Sequence, residues 1–187
     1  MIYNKKEIDM SLVQCGYEEE HGYISINDNY TNNLLKLTGY TELSEDGLVG
    51  LCYKQILSNE LVIYAQKYAR IGYMYSCHVL KGRFELGEPA IAKDSYYSYL
   101  YAMEILKGRF ELGEPVIASS AEYSYYYATD VIKGRFELGE PAIAKDTHYS
   151  YWYTTETLKG RFELGEDAIS SDTNIKNKYK QLTGIEL

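Results

Sequence analysis

Polar and apolar positions from Ser95 to Lys107 sort into a helical pattern. On a wheel of about 100° per residue, Tyr97, Tyr101 and Ile105 form one edge of an apolar stripe. Ser98 and Ala102 form its middle, and Tyr99 and Leu106 its other edge. The arrangement returns as Tyr123, Tyr127 and Val131 around Ser124 and Ala128, with Tyr125 and Ile132 opposite. It returns again as Tyr149, Tyr153 and Thr157 around Ser150 and Thr154, with Tyr151 and Leu158 opposite. Alternating tyrosines taken alone also fit a strand. The ends of each segment favour helix: Asp94, Ser120, Asp146 and Asp172 belong to the N-cap set. Gly108, Gly134 and Gly160 follow the first three caps by about fourteen residues, Gly82 closes the preceding segment, and each reads as the residue that ends a helix. Small residues in the middle of the stripe allow neighbouring helices to approach to about 8 Å.

Upstream of each segment stands the octapeptide Lys-Gly-Arg-Phe-Glu-Leu-Gly-Glu, unchanged, starting at Lys81, Lys107, Lys133 and Lys159, every 26 residues. A period of this length is the signature of stacked units that contact mainly their neighbours. The chain's three prolines, Pro89, Pro115 and Pro141, share one repeat position, and Asp167 replaces them in the last copy. Proline is accommodated in the first turn of a helix, where its missing N–H costs nothing. A short helix of one or two turns is therefore predicted around residues 85–92, with Phe84, Leu86 and Ile91 as buried anchors. The predicted fold is all-α: an α-solenoid of tandem 26-residue two-helix repeats between terminal caps. Residues 1–58 form an N-terminal region, with helices over 29–38 and 45–57, the second capped by Ser44, and a short strand at 22–26. Residues 59–172 hold the repeats, beginning with a degenerate unit that echoes the long helix from Arg70. Residues 173–187 form a capping helix in which lysine and asparagine replace the tyrosines, as a terminal unit requires.

Composition adds a bias in the choice of aromatic residue. There are 22 tyrosines against 4 phenylalanines and 1 tryptophan. A tyrosine brings a large apolar body and a hydroxyl that needs a partner when buried, which suits thin layers where side chains reach water at one end. The net charge of −8 is spread along the chain. It opposes direct binding to a phosphate backbone, which needs clustered lysine and arginine. Cys15, Cys52 and Cys77 are scattered and lack a CxxC spacing, so they read as small buried residues in a reducing compartment. No run approaches the roughly 20 apolar residues that span a bilayer, and the first residues lack a signal-peptide core.

No nucleophile elbow, P-loop or dinucleotide fingerprint occurs, and His21, His78 and His148 stand apart from other ligand types. The expectation is a non-enzyme without metal or cofactor. The glycines of Gly-Arg-Phe-Glu-Leu-Gly recur four times and read as a structural turn, and the arginines and glutamates of the octapeptide as an ion-pair ladder that cross-links units. Function is expected where otherwise like units differ. One face of the long helix varies: Tyr96, Leu100 and Met103, then Glu122, Tyr126 and Thr129, then His148, Trp152 and Thr155. Large aromatic and apolar residues on that side have the composition of a protein-binding face.

The pattern Lys-Gly-Arg-Phe-x-x-Gly-Glu-Pro-x-Ile-Ala-x-Asp-x-x-Tyr-x-Tyr-x-Tyr-Ala, across about residues 70–172, resembles short helical-repeat proteins of large tailed bacteriophages. The resemblance implies an accessory phage protein made in the host cytoplasm and supplies no catalytic residues. Together these readings give a binding scaffold that engages a host protein, as an inhibitor of a bacterial defence or regulatory enzyme. The alternatives are an acidic mimic of nucleic acid or another nucleic-acid-related binder, and a structural protein that forms homo-oligomers through the ends of its stack.

Overall fold

The computed structural model describes residues 44–55 and 58–187, and the chain divides into two compact units after Ala90. The helix expected over 29–38 and the strand at 22–26 lie outside the described residues. Among the described residues every element is helical.

In the first unit, α1 (Glu45–Tyr53) starts at Ser44, whose hydroxyl accepts the Gly47 N–H at 3.1 Å. Glu45 and Asp46 sit in its first turn, where the helix dipole favours negative charge. The helix is shorter than the expected 45–57, because the chain turns at Lys54 and enters the left-handed region at Gln55. α2 (Asn59–Ala65) is capped by Ser58. α3 (Ala69–Met74) runs on as a π-helical segment, Tyr75–Leu80. Leu48, Leu51, Cys52, Leu61, Tyr64, Ile71 and Tyr75 make the core of this unit. Burial pushes the Cys52 thiol up to about 12.

The repeats follow one plan. Short helices α4 (Glu88–Ile91), α6 (Glu114–Ile117) and α8 (Glu140–Ile143) alternate with long helices. The long ones are α5 (Ser95–Leu100), α7 (Ala121–Tyr126) and α9 (Thr147–Trp152), each continued by a π-helical half, Tyr101–Leu106, Tyr127–Ile132 and Tyr153–Leu158. A 3₁₀ turn (Glu163–Gly165), α10 (Glu166–Ser170) and α11 (Thr173–Thr183) close the second unit. α5, α7 and α9 pack on one another in sequence, and α11 packs on α9. The second unit is thus an α-solenoid of 26-residue helix pairs.

All four repeat caps form. Asp94 accepts the Tyr97 N–H at 3.0 Å and Ser120 the Tyr123 N–H at 3.3 Å. Asp146 accepts from Tyr149 and Asp172 from Ile175, both at 2.9 Å. Proline occupies the first turn of α6 and α8. The serines in the middle of the stripe are fully buried: Ser98, Ser124 and Ser150 donate to the Ile91, Ile117 and Ile143 carbonyls at 2.9, 3.0 and 2.9 Å. Each serine so satisfies the open C-terminus of the short helix beside it.

Three expectations need correction. The long helix is α-helical for one half only. A spacing of apolar residues read over six positions does not separate 3.6-residue winding from the wider π turn. The helix-ending residue is lysine instead of glycine. Lys81, Lys107, Lys133 and Lys159 take φ of 53°, 51°, 59° and 50°, while the glycine after each donates its N–H to the carbonyl six residues back. The left-handed residue stands one position earlier than expected, and the bond spans one residue more than the long bond of the Schellman motif, in keeping with the wider π turn it closes. Finally, Phe84 and Ile91 are buried anchors, but Leu86 is half-buried and its counterparts Leu112, Leu138 and Leu164 are 54%, 54% and 59% exposed. The octapeptide turn directs phenylalanine inward and leucine outward.

Candidate protein-binding face

Within each unit the octapeptide turn is tied to the long helix on the buried side. Arg109 meets Glu114 through two parallel bonds of 2.7 and 2.8 Å. Arg135 and Glu140 repeat this at 2.8 and 2.9 Å, and Arg161 and Glu166 at 2.7 and 3.0 Å. Forked geometry of this kind is the strongest form of ion pair. The same carboxylates accept from buried tyrosines on the long helix of their own unit: Tyr127 to Glu114 at 2.9 Å, Tyr153 to Glu140 at 3.0 Å, and Tyr179 to Glu166 at 2.7 Å. Each phenol oxygen also accepts a phenylalanine N–H, from Phe110, Phe136 or Phe162. The ladder foreseen from the octapeptide as a cross-link between units is therefore an ion pair inside each unit, and tyrosine ties that unit's octapeptide turn to its own long helix. Arg109 and Tyr127 hold the Glu114 carboxyl below the usual carboxylate range, the guanidinium contributing most and burial opposing it.

On the other side of the long helices the nine variable positions fall into two groups. Tyr96, His148 and Trp152 are exposed. Leu100, Met103, Glu122, Tyr126, Thr129 and Thr155 are half-buried, because adjacent long helices lie close enough for side chains to reach across. The Met103 sulfur lies 3.1 Å from the Tyr99 hydroxyl, and the Thr129 hydroxyl lies 2.8 Å from that of Thr157. The row is not simply a wet strip.

What holds the row in place is a band of ring contacts that pattern reading assigned to the core edge alone. Tyr96 meets Tyr123 at 5.7 Å between centroids, and Tyr99 stacks with Tyr126 at 5.9 Å. Tyr125 meets Tyr149 at 5.7 Å and Trp152 at 6.0 Å. Tyr149 meets Trp152 edge-on at 5.4 Å, and His148 lies 6.0 Å from the indole. Such pairs add about 0.5–1.5 kcal/mol each beyond the area they bury. The result is a continuous aromatic surface across α5, α7 and α9.

Carboxylates are set into this band. Tyr99 donates to Asp130 at 2.7 Å and Tyr125 donates to Glu156. Burial and the accepting carboxylate both push these two phenols up. Tyr123 and Tyr149 are raised by burial and then by Glu122, with Asp94 adding to the first and Asp146 to the second. Asp130 and Glu156 went unnoticed in the sequence, although the signal was there: each lies 31 residues after the tyrosine that binds it, one repeat plus five.

Among the described residues no three His, Cys, Asp or Glu side chains gather as a metal site would require. None of the described helices is long and apolar enough to cross a membrane. Comparison of the chain with protein-family models, with curated proteins and with solved structures found no match.

Proposed function

We propose that this chain is a non-enzymatic scaffold that holds a partner protein on the aromatic face of its long helices. The supporting observation is that face itself: rings from three successive units lock one another in place and leave Tyr96 43% and Trp152 38% exposed. Rigid, half-buried aromatic residues lose little freedom when a partner covers them, and for that reason they dominate protein–protein affinity. Tyr96, Leu100 and Met103 open the row on α5, Glu122, Tyr126 and Thr129 continue it on α7, and His148, Trp152 and Thr155 end it on α9. With the resemblance to phage repeat proteins, the partner is a bacterial host protein and binding inhibits it.

The test is capture from bacterial lysate by the full chain, compared with a variant carrying Leu100→Ala, Tyr126→Ala and Trp152→Ala. The variant should keep its helical circular dichroism and lose the captured protein. A folded variant that captures the same protein as before would refute this face as the site.

A further inference from the structure

The aromatic band contains one arrangement twice, a single repeat apart. In the first, the Tyr126 ring stacks with Tyr99, and Asp130, four residues further along the same long helix, accepts the Tyr99 hydroxyl at 2.7 Å. In the second, the Trp152 ring meets Tyr125, and Glu156, again four residues further along, accepts the Tyr125 hydroxyl. Both carboxylates are exposed. A carboxylate that accepts a phenol through one oxygen keeps the other oxygen for a further donor.

The charged groups acting most strongly on Tyr99, Tyr123, Tyr125 and Tyr149 are carboxylates: Asp94, Glu104, Glu122, Asp130, Asp146 and Glu156. On the buried side, by contrast, Arg109 and Arg135 act on Tyr127 and Tyr153. One more repeat along, Lys178 and Leu182 stand where Trp152 and Glu156 stood, so the arrangement stops at the capping helix.

We infer that these two places are a pair of guanidinium seats, and that the face binds an extended segment of a partner carrying two arginines. An aromatic ring offers its face to the planar cation while the carboxylate one turn away takes its N–H groups. Neighbouring helices lie about 8–10 Å apart, which an extended chain covers in about three residues, so the matching segment is Arg-x-x-Arg. Charge complementarity selects this occupant over an acidic segment or a nucleic acid. The inference rests on the proposed binding function and specifies the partner's chemistry.

Trp152 is the chain's only tryptophan, so its emission reports occupancy of the second seat directly. The full chain is titrated with a capped nine-residue peptide containing Arg-Ala-Ala-Arg, and with peptides in which the arginines are adjacent or replaced by glutamate. The emission should change saturably with the first peptide and bind it about tenfold more weakly when Asp130→Asn and Glu156→Gln are combined. Added salt should weaken binding further, and Leu138→Ala, outside this face, should leave it unchanged. No change in emission up to millimolar peptide, or equal response to the glutamate peptide, overturns the inference. In that event, partner capture that still depends on Leu100, Tyr126 and Trp152 would leave the scaffold reading standing, and capture that does not depend on them would remove both.

Discussion

The Tyr127 hydroxyl donates to Glu114 Oε1 at 2.9 Å, thirteen residues back in the chain, while accepting the Phe110 N–H at 2.8 Å. Both partners are buried and belong to the octapeptide turn and short helix of the same repeat. Changing Tyr127→Phe leaves the ring in place and removes only the oxygen. It strands a buried N–H and takes one donor from the carboxylate, a loss of about 1–3 kcal/mol. Urea denaturation should show a lower midpoint with an unchanged slope. A cost below about 0.5 kcal/mol would mean that this bond does not hold the turn to the long helix.

The two glycines of the octapeptide should respond oppositely to alanine. A Cβ at Gly139 would lie 2.5 Å from the Phe136 ring and 2.6 Å from Ser124 Oγ, while at Gly134 nothing lies within 4 Å. Gly139→Ala should therefore destabilise by about 1–3 kcal/mol or more through overpacking. Gly134→Ala should stay within about 0.5 kcal/mol of the parent, as surface substitutions do. Thermal melts of the two variants side by side decide the matter.

Lys133 is held at φ 59°, a conformation that costs a side-chain-bearing residue about 1 kcal/mol. Lys133→Gly should raise stability by some of that amount, less the extra freedom glycine gives the unfolded chain. A fall in melting temperature would show that the lysine side chain contributes more than its backbone strain costs.

Stability should fall at both ends of the pH scale. Glu114 and Glu166 have lowered folded-state values, set first by Arg109 and Arg161, so their contribution is complete above the ordinary glutamate range and is lost as pH drops through the folded values. Tyr179 has the opposite sign: burial, then Glu166, pushes it up to about 12. Its contribution is complete below the ordinary tyrosine value near 10 and disappears as pH rises towards 12. Absorbance at about 295 nm should show one class of tyrosines ionising near pH 10 and a second only together with loss of helix. A single transition near 10 with the helix intact would contradict the buried network.

The repeat period, the N-caps and the long helix starting after each cap were legible from residue type alone, because capping and apolar spacing are local. The π-helical half was not, since it depends on how Tyr101, Tyr127 and Tyr153 seat in the stack. Leu86 was misread for a related reason: a nine-residue turn segment has no period from which to tell inside from outside. At the candidate face, Tyr96 and Trp152 were found by variation between units. The carboxylates beside them were missed because their meaning comes from a tyrosine in the neighbouring repeat, more than one period away.

The Glu114–Tyr127 and Glu140–Tyr153 links each fall wholly inside one 26-residue cassette counted from lysine to lysine. Excising residues 107–132 would join Leu106 to the octapeptide at Lys133, leave the Glu140–Tyr153 and Glu166–Tyr179 links intact, and put Glu156 at the repeat position of Asp130 for Tyr99. Such a chain can shorten or grow by whole cassettes without redesigning any junction, and each addition would lengthen the aromatic surface by one step. Its reach is adjustable by copy number, independently of the chemistry displayed at each step.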